Sequence, residues 1–170
     1  MASPRPEIIR RFFTDLYGDS VSDHAALVLW SSRDQRSCWT HSVEEAAVQA
    51  GHLAAASDLY FGVCLQSPDA AMAEREERTG RGCTEASATL KFLRGYASTA
   101  IVVPGLWLDI DIAGDGHEKR GLPTSEREAW EIIESLPIPP SLKITTGGGF
   151  HLYWLFKEPW ELEDEEERLR

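Results

Sequence analysis

LWLDIDI, Leu106–Ile112, and KITTGGGFHLYW, Lys143–Trp154, are the two stretches that decide how this chain is read. The first is an apolar strand interrupted by Asp109 and Asp111. The second is a strand, a triple-glycine turn and a further strand bearing His151. Side chains alternate along a strand, so Trp107, Asp109 and Asp111 are expected on one face and Leu106, Leu108, Ile110 and Ile112 on the other, packed against helices. By the same alternation Phe150, Leu152, Trp154 and Phe156 share one face, and His151, Tyr153 and Leu155 the opposite one.

Two carboxylates on one face of a strand sit about 6–7 Å apart and, at an effective dielectric of about 20, repel each other by roughly 2.5 kcal/mol. A divalent cation removes that repulsion, and Mg²⁺ favours one or two carboxylates together with substrate phosphates. Arg or Lys on a neighbouring strand would also answer it, and a lone Asp-x-Asp leaves both possibilities open. Gly147, Gly148 and Gly149 let backbone approach a ligand closely, and their amides suit anionic oxygens. His151 could donate to a phosphate oxygen, with Thr145 or Thr146 as hydroxyl partners. A plain hairpin turn followed by a half-buried histidine is the competing reading of that segment.

Working outward, EIIRRFFTDLY (7–17) has helical spacing and Gly18 as a stop. AALVLW (25–30) reads as a strand followed by a polar turn, SSRDQRS. Ser42 caps a helix running through the alanine-rich residues to 56. LYFGVCLQ (59–66) is expected as a central strand. Residues 67–85 form a helix-containing or loop excursion. STAIVVPGLWLDIDI (98–112) is the strongest strand, with Pro104-Gly105 marking a bend or bulge where it begins. AGDGHEKRGLP (113–123) is a loop, TSEREAWEIIESL (124–136) a helix opened by Thr124 or Ser125, and PIPP its end. Strands 142–146 and 150–156 close a hairpin. The class is α+β or α/β in one compact domain spanning 1–160, with an acidic helix end or tail at 161–170.

The chain has 170 residues and a net charge of −11. That balance argues against a broad basic surface for duplex DNA, because phosphate neutralisation dominates nonspecific affinity. No apolar run approaches the ~20 residues of a membrane span, and a signal-peptide core is lacking, so a cytoplasmic protein is expected. Cys38, Cys64 and Cys83 are odd in number and widely spaced, which fits reduced thiols rather than a disulfide framework or zinc ribbon. His24, His41 and His52 read as surface or structural.

Taken together and in order, DID at 109–111, the loop GDGHEKRGLP, a helix and TTGGGFHLYW resemble the core of the archaeo-eukaryotic primase superfamily. The likeness is to the primase–polymerase domains of phage, plasmid and mobile-element replication proteins. It is dense from about Leu106 to Pro159 and extends more thinly back to LYFGVCLQ and RGC (81–83). The resemblance implies a mixed-sheet catalytic core, an RRM-like unit preceded by an N-terminal αβ unit. It implies template-directed synthesis from rNTPs or dNTPs on single-stranded or primed DNA, with a helicase domain in the full-length protein. Asp109 and Asp111 would hold Mg²⁺ or Mn²⁺, and His151 would meet the incoming phosphates beside Thr146 and Gly147–Gly149. Lys119, Arg120 and Arg81 are candidate phosphate or template contacts. His117 recurs in that branch without an assigned role.

The chain departs from the family pattern in three places. Thr146 stands where a serine is usual, and Gln66 where an arginine that contacts nucleotide is often found. The family's third carboxylate, on a later strand, has no matching segment here: the catalytic domain is read as lacking its C-terminal part, the alternative being that a Glu or Asp from 161–167 substitutes. The alternatives are a non-catalytic nucleotide- or DNA-binding module of the same fold and a different Asp-x-Asp transferase. The glycine–histidine strand argues against the latter.

Overall fold

The computed structural model describes residues 5–80, 90–114 and 121–162. The protein is α+β with two antiparallel sheets, and the chain divides into two compact units: residues 1–104 with 159–170, and residues 105–158.

The first unit opens with α1 (Pro6–Tyr17), which has Pro6 in its first turn and ends at Gly18. Gly18 has φ 53° and donates its amide to the Thr14 carbonyl, a stop that needs a residue without Cβ. β1 (Leu27–Ser31) and β2 (Arg36–Thr40) form a hairpin, Leu27 opposite Thr40 and Ser31 opposite Arg36. The polar run read as a turn is therefore a turn only in its middle. Its end, with the following CWT, is a strand that the polar composition concealed. α2 (Val43–Ala54) is capped as expected, Ser42 Oγ accepting from the Glu45 amide.

LYFGVCLQ is not a central strand. It is split into β3 (Leu59–Phe61), at an edge of the order β2-β1-β3, and β4 (Leu65–Gln66), at an edge of the order β4-β5-β7-β6. The break has a physical cause: the Tyr17 hydroxyl donates to the carbonyls of Gly62 and Val63, which turns them out of any strand ladder. Leu29 and Phe61 share a face, where Phe61 meets Phe12 and Phe13 edge-on at 5.4 and 5.6 Å. On the opposite face Val28 and Trp39 pack with Ala26, Ala71 and Leu93. α3 (Pro68–Thr79) runs between the Ser67 cap and Gly80 in the left-handed region. A short 3₁₀ turn, Ala97–Thr99, leads into β5 (Ala100–Asp111).

In the second unit the rest of β5, α4 (Glu126–Ser135), β6 (Leu142–Thr145) and β7 (Gly149–Glu161) as far as Glu158 form the strand–helix–hairpin expected. Ser125 is the cap of α4, accepting from the Glu128 amide. Thr124 contributes too, donating its amide and hydroxyl to the Glu128 carboxylate, which these bonds hold below the ordinary range. Pro104-Gly105 does not mark the start of β5 but lies in its interior. A Cβ on Gly105 would come within 2.9 Å of the Leu155 Cα, so the close approach of β7 demands glycine there.

Ile110, Ala129, Ile133, Phe150 and Leu152 make this unit's core, with Trp130 and Phe150 rings 4.9 Å apart. The expected aliphatic row is only partly buried: Ile110 is covered, but Leu106 and Leu108 are exposed, because α4 spans only the end of the strand that carries Ile110. The acidic tail lies outside the described residues beyond Leu162, and Glu161 is the last residue of β7.

Candidate functional site

Gly105 lies against Trp154 and Leu155, and Gly149 against Ile110 and Asp111, so β5 and β7 run side by side in opposite directions. This brings together two motifs that are some forty residues apart in sequence. His151 Nε2 stands 3.4 Å from Asp109 Oδ1, an ion-pair distance when the imidazole is protonated. Both side chains remain accessible, Asp109 more so than His151. Asp111, two residues further along β5, is half-buried.

Beneath His151 the same face carries Ile144, its cross-strand partner on β6, and then Tyr153, opposite Leu142. Tyr153 is 3% exposed. Its phenol is pushed up to about 12, first by burial and then by the negative charge of Asp109. Tyr153 therefore belongs to this cluster as an uncharged phenol beside the acid. Sequence reading placed it on the His151 face but gave it no role. The available signal was its position two residues after the histidine, on the strand that meets the acids.

The glycine turn is held from two sides. Ile112 donates its amide to the Gly148 carbonyl at 2.8 Å, and Thr146 donates to the Gly149 carbonyl at 3.0 Å. Gly147 has φ 89°, a conformation that disfavours a side chain. Gly149 is buried against β5: a Cβ there would lie 3.0 Å from the Ile110 carbonyl carbon, with the carbonyl oxygen closer still. The carbonyls of Gly148 and Gly149 are thus spent on the fold. The amides of Gly147 and Gly148 have no acceptor among the described residues. Thr145 and Thr146 are exposed at the rim.

The remaining expectations are met unevenly. Trp107 is half-exposed and borders an apolar groove of Leu106, Pro137, Ile138, Trp154 and Phe156. Gln66 is buried, accepts a hydrogen bond from the Thr99 hydroxyl at 2.7 Å and packs beneath Gly95, so it is a fold residue rather than a nucleotide contact. Arg81, Lys119, Arg120 and His117 lie outside the described residues. Cys38 and Cys64 are free thiols, both pushed up by burial and Cys38 further by Glu45.

Two carboxylates with an adjacent anion-accepting turn fit the donor chemistry of Mg²⁺ or Mn²⁺, which keep several ligands for water and substrate phosphate. Among the described residues no group of three or more His, Cys, Asp or Glu could hold a metal by itself. No helix of the described residues is long and apolar enough to cross a membrane. No family model, curated protein or solved structure matches the chain.

Proposed function

We propose that the chain is the catalytic part of a primase–polymerase, transferring nucleotides from rNTPs or dNTPs onto a nucleic acid strand under direction of a single-stranded or primed DNA template. The observation that carries this reading is the meeting of Asp109 with His151 and of Ile112 with the glycine turn on adjacent antiparallel strands. An acid pair alone, or a glycine–histidine hairpin alone, has ordinary structural explanations. Placed against each other, they form one accessible surface with carboxylates for a cation and amides and an imidazole for phosphate oxygens.

In the reaction a 3′-hydroxyl attacks the α-phosphorus of the nucleoside triphosphate, its proton passes to solvent, a new phosphodiester bond forms and the bond to the β-phosphate breaks as pyrophosphate leaves. A bound divalent cation supplies charge neutralisation and lowers the pKa of the attacking hydroxyl. Asp109 and Asp111 are the residues that would hold it. His151, resting against Asp109, is placed to donate to a triphosphate oxygen once Asp109 is engaged elsewhere. The free amides of Gly147 and Gly148 and the Thr146 hydroxyl add fixed dipoles around the same oxygens, the kind of preorganised stabilisation that phosphoryl transfer relies on. The fold would be the primase–polymerase core, its second unit the RRM-like part, working in the cytoplasm beside a helicase domain of a larger replication protein.

The absence of a three-donor group among the described residues favours a second reading, a non-catalytic nucleotide-binding module. Primer extension and de novo synthesis with Mg²⁺ or Mn²⁺, run on the wild type and on Asp109→Ala/Asp111→Ala, separate the two. Products from the wild type alone establish the polymerase. Metal-dependent nucleotide binding without products, lost in the double variant, establishes the module. Neither products nor binding removes the nucleotide reading altogether.

A further inference from the structure

We propose that the first unit carries a stacking platform for single-stranded nucleic acid on the uncovered end of the β2-β1-β3 sheet. Trp30 of β1 lies opposite Ser37 of β2 and Tyr60 of β3, and directly opposed residues project to the same side of a sheet. The Trp30 and Tyr60 rings are 5.4 Å apart and inclined by 54°. Arg94 lies with its guanidinium 4.1 Å from the centre of the Trp30 ring.

The rest of that face is closed. Val28 and Trp39 are packed under Ala71 and Leu93, and the Trp39 indole N–H donates to the carbonyls of Leu90 and Leu93. This cover stops at Arg94, leaving Tyr60 51% exposed. The Ser37 amide donates to the Lys91 carbonyl at 2.7 Å, which fastens the covering segment beside β2 and puts exposed Lys91 and Phe92 at the same border. The Ser37 hydroxyl on that face is buried and has no hydrogen-bond partner among the described residues.

Charge complementarity selects the occupant. The chain holds 28 acids against 17 Lys and Arg, yet Lys91 and Arg94 have no acidic partner among the described residues. Two cations with no acidic partner among the described residues, beside the exposed Tyr60 ring and the partly covered Trp30 ring, suit a ligand that is flat and apolar in one part and anionic in the next. A nucleotide strand with unstacked bases has that alternation: bases stack on the rings while phosphates meet Arg94 and Lys91. A duplex keeps its bases stacked internally and cannot use the rings. An acidic peptide would use the cations alone. The platform does not rest on nucleotidyl transfer by the second unit.

The test is fluorescence-anisotropy titration of a labelled oligothymidylate of about 16 nucleotides, at low salt and in EDTA. Binding is expected, with a logarithmic salt slope of about −1.4 for two phosphate contacts. Tyr60→Ala and Arg94→Gln are each expected to weaken it about tenfold, while Tyr60→Phe retains it. Lys157→Gln, an exposed lysine outside both sites, is expected to bind like the wild type, which separates the platform from general attraction to surface cations. Arg94 is exposed, so Arg94→Gln keeps the test valid if Tyr60→Ala fails to fold. The proposal is overturned by absence of binding at low salt, by Arg94→Gln binding as well as wild type, or by equal affinity for duplex and heparin.

Discussion

β1 and β5 are both apolar strands in sequence, ALVLW in one and GLWLD in the other, and they live in opposite surroundings. Leu27, Val28 and Leu29 are fully covered: α2 packs against β1, Phe61 lies beside Leu29 on one face, and the Trp39–Leu93 cluster covers Val28 on the other. Leu106, Trp107, Leu108 and Asp109 are four consecutive exposed residues, and only Ile110 beyond them is buried. A strand covered on both faces contributes stability and is closed to ligands. A strand left open on the face of its acids can take a cation and a substrate, at the expense of a thin core. Apolar composition therefore distinguishes a strand from a loop, but not a scaffold strand from one that bears a site.

The same truncation in the two strands gives the largest contrast. Leu29→Ala removes a side chain that is 0% exposed and should lower unfolding free energy by about 2–5 kcal/mol. Leu108→Ala, at 40% exposure, should change it by about 0.5 kcal/mol or less. Urea denaturation of both variants measures the difference. A loss above about 2 kcal/mol for Leu108→Ala would mean that the open strand is covered in solution, and the comparison would collapse.

Glycine substitutions sharpen it at the next level. Gly51 sits within α2 with only ordinary contact to Pro6, so Gly51→Ala should stabilise the protein by about 0.5–1 kcal/mol through unfolded-state entropy. Gly149→Ala should destabilise by about 1–3 kcal/mol, because its methyl group must push β7 away from the Ile110 carbonyl. It should also weaken nucleotide binding, since separating those strands pulls His151 from Asp109. A stable Gly149→Ala variant that binds nucleotide like wild type would show that strand proximity at this point does not hold the site.

Much of this was legible from the sequence because local chemistry dictated it. Ser42 and Ser125 cap helices where polar residues precede helical spacing, Gly18 and Gly80 end them, and the 2-residue alternation put Asp109 and His151 off the apolar rows of their strands, while Tyr153, on the His151 face, is buried all the same. What failed depended on partners remote in sequence. β2 is polar in its first residues, and its pairing with β1 supplies what its composition does not. LYFGVCLQ breaks because Tyr17, more than forty residues earlier, captures the Gly62 and Val63 carbonyls. Exposure of Leu106 and Leu108 depends on how far α4 reaches, which no periodicity encodes.

The finest division between the regions lies in charge rather than packing. Tyr17 and Tyr153 are both buried, but Tyr17 donates to two carbonyls whereas Tyr153 sits beside a carboxylate. Burial and the Asp109 charge both disfavour tyrosinate at position 153, so the folded protein holds this proton to about 12 against 10.0 for an ordinary tyrosine. Between those two values the folded state binds more protons than the unfolded chain, so stability falls as pH rises. The contribution is complete below 10 and is lost through about 12. Ultraviolet titration of tyrosinate in EDTA, comparing wild type with Asp109→Asn, should show the Tyr153 midpoint moving down in the variant while staying above 10.0, since burial is the larger cause. An unchanged midpoint would detach Asp109 from Tyr153 and dissolve the cluster. A full return to the ordinary value would make the carboxylate, not burial, the dominant cause, and would leave this strand face open to water down to its base.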